Sequence, residues 1–168
     1  MSGAVVWLTG LPSSGKSTLA RRLLLRLRAE GRPAAVLDGD EVREALVPRP
    51  AYAPAERDAF YGTLGRLAAL LARQDLTVIV AATANRRAYR DEARALAPRF
   101  FEVYLDVPAE VCRERDAKGL YARAARGAAP DLPGAGAGYE PSAAPEVIAH
   151  GGEDAAALES IVRRIVGP

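Results

Sequence analysis

Two groups of residues could carry chemistry in this chain. The first is Gly10-Leu11-Pro12-Ser13-Ser14-Gly15-Lys16-Ser17-Thr18, which has the spacing G-x-x-x-x-G-K-[ST]. Glycines at the two fixed positions let successive backbone N–H groups turn onto a polyphosphate with no Cβ in the way, and Lys16 then reaches the β- and γ-phosphates. The Ser17 hydroxyl is an oxygen ligand suited to Mg²⁺, and a helix starting here turns the positive end of its dipole to the anion. A Gly/Ser-rich turn that binds nothing is the plainer alternative, but the apolar run before it and the periodic segment after it favour the phosphate site. The second group is Asp38-Gly39-Asp40. If strand geometry persists through it, both carboxylates point to one side. One would then hold Mg²⁺ through water while the other takes the proton of a hydroxyl acceptor. We expect Asp38 to serve the metal and Asp40 the acceptor. Asp-Gly-Asp is also good turn and N-cap chemistry, and that alternative stays open. Arg43, one turn into the next helix, and Arg57, at the start of a later one, are placed to bind an anionic acceptor.

These groups need a frame, and the hydrophobic pattern supplies it. Short apolar runs at Ala4–Leu8, Ala34–Leu37, Thr77–Ala81 and Phe101–Val107 read as buried strands, with a last short one at Glu146–Ala149. Helices are expected over Ser17–Glu30, Glu41–Leu46, Ala55–Arg73, Ala109–Arg115 and Ala155–Val166, and a charged, surface-type helix over Asn85–Ala97. Residues 127–145, rich in Gly, Ala and Pro, read as irregular and mobile. Strands alternating with helices imply an α/β fold with a five-stranded, mostly parallel sheet and helices on both faces. Ligands bind beyond the carboxyl ends of such strands, where residues 10–18, Asp38 and Asp40 all fall. One domain over residues 1–168 is expected.

Composition narrows the function classes. The net charge of +2 demands neither a nucleic acid nor an anionic membrane as partner, and no apolar run is long enough to span a bilayer, so a cytoplasmic location is expected. One cysteine, Cys112, and one histidine, His150, leave no material for a disulfide, a Cys/His zinc site or a Ser-His-Asp triad. Packing suits Cys112, and His150 reads as structural. All the basic residues but Lys16 and Lys118 are arginine. The two exceptions mark places where a compact, rotatable ammonium does what a planar guanidinium does not, unless Lys118 is an accident of composition.

The segments GLPSSGKST, LDGDEVRE, PAERD, VYLDVP, ERDAKGLYARAARG and GYEP together resemble the adenylylsulfate (APS) kinases, P-loop enzymes that phosphorylate the 3′-hydroxyl of adenosine 5′-phosphosulfate with ATP. The resemblance implies a nucleoside-kinase-like P-loop fold and Mg²⁺ with ATP. It implies acceptor and metal roles for Asp38, Asp40, Arg43 and Arg57. It also implies a lid over about residues 113–145 that brings Arg115 and Lys118 to the nucleotide phosphates, and a homodimer. Tyr52 stands where the family has a Phe and keeps an aromatic face for adenine. Leu132-Pro133-Gly134-Ala135 stands where the family has a second aromatic, Phe60 replaces an Asn, and Ala84-Asn85-Arg86 replaces Ser-Pro-Tyr. These departures lie on the acceptor side, so the same reaction on another small anionic alcohol is the alternative. An NTP-binding regulatory module is a third reading, but it has no use for Asp40 as a base.

Overall fold

A computed structural model describes residues 3–116, 118–129, 131–132 and 137–167. Five parallel strands, β1 (Ala4–Thr9), β2 (Ala34–Asp38), β3 (Thr77–Ala81), β4 (Phe100–Leu105) and β5 (Val147–Ala149), lie in the order β2-β3-β1-β4-β5. All six residues of β1 are buried, as a central strand covered on both faces requires. Side chains alternate across the sheet. Val6 and Leu8 join the core under α1 (Lys16–Ala29) and α7 (Ala155–Val166), while Val5 and Trp7 join the core under α3 (Pro54–Ala72) and α4 (Arg87–Leu96). Among the described residues no helix is long and apolar enough to cross a membrane.

Three local expectations change. Strand β2 ends at Asp38 and helix α2 (Gly39–Ala45) begins at once, with Asp38 as its N-cap. The extended geometry that was to align Asp38 and Asp40 therefore does not persist. Helix α4 starts at Arg87 rather than Asn85, and its surface character fails at Arg90, which is 1% exposed. The Arg90 guanidinium is buried because every nitrogen has a partner. Nε pairs with Glu102 at 3.0 Å, NH1 donates to the Ala84 carbonyl at 2.6 Å, and NH2 to the Glu140 carbonyl at 2.7 Å. Losing one member of such a buried pair costs about 3–5 kcal/mol, because the other is left charged and alone. Finally, α5 (Ala109–Arg115) is followed by a helix absent from the periodicity, α6 (Leu120–Ala125). A third small core of Val107, Cys112 and Tyr121, with Leu11 and Leu132 against it, joins these helices to the Gly10–Thr18 loop. Cys112 is thus packing, as its type suggested. The mobility expected of residues 127–145 falls partly on residues 130 and 133–136, outside the described set.

Candidate active site

A cleft of about 1060 Å³ opens at the carboxyl edge of the sheet. Pro12, Ser13, Gly15, Lys16, Ser17 and Thr18 line one end, and Arg43, Tyr52, Arg57 and Leu132 the other, with Asp38, Asp40, Arg115 and Lys118 also on its walls. Of the residues assigned to the site from the sequence, Gly10, Leu11 and Ser14 are the ones that do not line the cleft among the described residues.

At the phosphate end the backbone does most of the shaping. Gly15 is at φ +101, and a Cβ there would stand 2.4 Å from the Gly152 nitrogen. Gly152 is equally confined, since a Cβ on it would stand 2.7 Å from Thr18 Cβ. The loop after β5, His150-Gly151-Gly152, is therefore packed directly on the start of α1, where Arg22 NH1 donates to the Gly152 carbonyl at 2.9 Å. Lys16 Nζ donates to the carbonyls of Gly10 (2.9 Å) and Leu11 (2.8 Å). Burial, reinforced by the charge of Lys118, lowers its pKa to about 8. A polyphosphate would reverse that shift by supplying the missing negative charge.

Asp38 links the two groups found in the sequence. One carboxylate oxygen accepts from the Asp40 backbone N–H at 3.0 Å, capping α2, and the other accepts from Ser17 Oγ at 2.6 Å. The capping alternative is thus what Asp38 does for α2, and its second oxygen, held by Ser17, faces the phosphate loop. Ser17 and Asp38 present oxygen donors of the kind a hard divalent cation takes. Asp40, at the start of α2, is exposed and pairs with Lys118. That contact and Asp40's charge hold the Lys118 ammonium above its ordinary pKa against the opposing effect of burial.

The segment that carries Lys118 is fixed by its neighbours. The Asp116 carboxylate accepts from the backbone N–H groups of Tyr121 and Ala122, both at 2.9 Å. Gly119 supplies the left-handed residue, φ +65, at the N-cap of α6. Tyr121 donates its hydroxyl proton to the Pro12 carbonyl at 2.9 Å, which ties α6 to the phosphate loop. The run RDAKGLY therefore has a physical reading: Asp116 and Gly119 shape the turn, Tyr121 anchors it, and Lys118 projects into the cleft. Arg115, the last residue of α5, is exposed on the same wall.

The acceptor end differs from expectation in detail. Arg43 is 5% exposed, and its NH1 donates to the carbonyls of Pro50 (3.1 Å) and Ala51 (2.8 Å), so part of the guanidinium braces the loop before α3. Its Cζ lies over the rings of Tyr52 and Phe60, which gives Tyr52 a cation on one face. Arg57 NH2 donates to the Asp131 carbonyl at 3.0 Å, joining α3 to the segment after α6. Leu132 is half-buried against the Val107–Tyr121 core as well as bordering the cleft, and Pro133, Gly134 and Ala135 lie outside the described residues.

Sequence reasoning missed a clamp beneath the phosphate loop. Thr9 Oγ1 donates to the Thr83 carbonyl at 2.6 Å, so the Tyr139 hydroxyl, 2.9 Å away, must donate to Thr9. Burial pushes the Tyr139 pKa up to about 12, which keeps that proton in place. Asn85 Nδ2 donates to the Gly138 carbonyl, and the Glu140 N–H to the Asn85 carbonyl. The GYEP motif and the replaced Ala84-Asn85-Arg86 are thus partners, a pairing that motif matching hinted at only by flagging both. His150 lies on the cleft wall beside Gly151 and Gly152, with its backbone N–H on Asp154 at 3.0 Å.

Comparisons with known proteins agree with this geometry. The family model described as adenylylsulphate kinase matches residues 2–150. The adenylyl-sulfate kinase of Chloroflexus aurantiacus is 43% identical over 146 residues, covering 87% of this chain and 78% of its own. That of a Synechococcus strain is 41% identical over 146 residues, covering 87% and 83%. Among solved structures, an APS kinase from Mycobacterium tuberculosis in complex with AMPPNP and APS superposes with a TM-score of 0.91 at 31% identity, over 99% of each chain. This chain belongs to the adenylylsulphate kinase family.

Proposed function

We propose that this protein transfers the γ-phosphoryl group of ATP to the 3′-hydroxyl of adenosine 5′-phosphosulfate, giving 3′-phosphoadenosine 5′-phosphosulfate and ADP. The observation that carries the reading is one continuous cleft. It has a phosphate loop at one end, an arginine between aromatic rings at the other, and two carboxylates, Asp38 and Asp40, at the start of helix α2 between them. A similar enzyme holds AMPPNP and APS together.

In this reading the backbone of residues 10–17 and Lys16 bind the triphosphate, and Arg115 and Lys118 reach it from α5 and the turn before α6. Ser17 and Asp38 would hold Mg²⁺, whose bound charge offsets that of the β- and γ-phosphates. Asp40 accepts the 3′-hydroxyl proton as the new O–P bond forms and the bond from the γ-phosphorus to the bridging oxygen breaks. For that, Lys118 must leave Asp40, and the phosphates give it a better anion to move to. Arg43 takes the anionic end of the acceptor through its remaining N–H groups, and Tyr52 offers its outer face to adenine. A coupled ADP-release assay with MgATP tests the reading: rapid turnover is expected with APS and none with a panel of other small hydroxyl acceptors. Turnover confined to another acceptor would refute it.

A further inference from the structure

The acceptor wall contains a stack that a phosphate-binding motif does not call for. Arg43 Cζ lies 4.3 Å from the ring centroid of Tyr52 and 3.9 Å from that of Phe60, so the guanidinium is held between two rings. Phe60 meets Tyr61 edge-on, with centroids 5.4 Å apart, and Tyr61 stacks on Tyr89 at 4.5 Å. The inner end of this column is fixed: the Tyr61 hydroxyl accepts from the Ala84 backbone N–H at 2.9 Å, and Tyr89 donates its hydroxyl proton to Asp58. Its two faces differ. Phe60 is 3% exposed and Tyr52 53%, so the first is a rigid floor and the second a cover open to solvent.

Arg43 uses NH1 on two carbonyls, which leaves the N–H groups of Nε and NH2 with no partner among the described residues. A guanidinium so buried, bordering a cleft with donors unspent, is suited to an anion there. The ring quadrupole of Phe60 attracts the cation and holds its Cζ over the ring face, so those donors are positioned before the anion arrives. Where Asn would add a polar contact of its own, Phe60 can act only through Arg43.

We infer that Phe60 is a positioning residue of the acceptor site, holding the Arg43 guanidinium ready for the anionic group of the acceptor. The inference rests on the acceptor reading above. Two variants test it: Phe60→Leu keeps an apolar filling and removes the ring, while Phe60→Tyr keeps the ring. Phe60→Leu should raise KM for APS about tenfold with KM for ATP and kcat within about twofold, and Phe60→Tyr should restore KM for APS to within about twofold. In ligand-free protein the Arg43 Nε–H proton should carry an upfield ring-current shift by NMR that shrinks in Phe60→Leu and persists in Phe60→Tyr. An unchanged APS KM in Phe60→Leu, equal rises in both KM values, or no ring-current shift in the wild type would overturn the inference while leaving the reaction standing. If the wild type binds APS without phosphorylating it, the reaction assigned above fails instead. The inference is then decided by the APS dissociation constant from calorimetry, expected to rise about tenfold in Phe60→Leu and overturning it if unchanged. A wild type that binds no APS defeats both.

Discussion

The two ends of the cleft are built by different means. The phosphate end is shaped by backbone: Gly15 and Gly152 in mutual contact, loop carbonyls that hold Lys16, and a helix, α1, that starts within the loop. The acceptor end is shaped by side chains from separate segments, with Arg43 from α2, Tyr52 from the loop after it, and Phe60 and Arg57 from α3. A backbone-built site binds what every nucleoside triphosphate shares. A side-chain-built site can be retuned one residue at a time, and Tyr52, Phe60 and Leu132, three of this chain's departures from the family pattern, lie there, while Ala84-Asn85-Arg86 pairs instead with Gly138 and Glu140.

The sharpest way to break that contrast is Lys16→Ala. It should lower kcat for ADP release by about a thousandfold or more, since no neighbouring cation can replace an ammonium lodged inside the loop. Turnover close to the wild type would mean that the backbone alone suffices. Next in size, Asp40→Asn should reduce kcat by about a hundredfold while the ATP dissociation constant from calorimetry stays within about twofold. A matching loss of ATP affinity would move Asp40 to the phosphate end. Lys118→Arg addresses the residue that spans both ends: about a tenfold fall in kcat is expected, because a planar fork cannot swing from Asp40 to the phosphates as an ammonium can. An unaffected rate would make Lys118 an accident of an arginine-rich composition.

The smallest effect is one of pH. Burial and the charge of Lys118 place the ligand-free Lys16 pKa near 8, so the loop loses its cation as the pH rises through that value. Only the protonated form attracts phosphate, and bound phosphate raises the pKa. ATP affinity should therefore fall several-fold between about pH 7 and pH 9, and Lys118→Met should move the midpoint upward. A flat profile over that range would show that Lys16 is not the titrating group. For folding, the sign is opposite. The unfolded chain holds this proton up to the ordinary lysine value of 10.5, so the lysine destabilises the fold below about pH 8 and the penalty is relieved as pH rises from there toward 10.5.

How much of this was legible follows from where the information sits. The central strands were readable because they are short, mainly apolar runs buried along their whole length, as Ala4–Thr9 and Thr77–Ala81 are. The phosphate loop was readable because its glycines and lysine are contiguous. Helix α6 escaped because six residues show too little period, although Asp116 and Gly119, which start it, lay inside a segment already singled out. Arg90 escaped because a charged residue on a charged helix reads as solvated, and nothing local reveals Glu102 and the Glu140 carbonyl, which are remote in sequence, or that the Ala84 carbonyl turns back onto it. Arg43 was identified by position, but its place between Tyr52 and Phe60 depends on how α3 packs against α2, which no spacing encodes.

The contact between Gly15 and Gly152 has a consequence for the order in which the protein is assembled. The phosphate loop lies near the start of the chain, and the turn that closes over it comes only after the last strand. While the chain emerges from the ribosome, the motif residues are all present long before the surface that buttresses them exists. A truncated product lacking β5 and α7 would therefore carry the motif without the Gly152 surface packed on it, and is expected to bind ATP more weakly than the full chain.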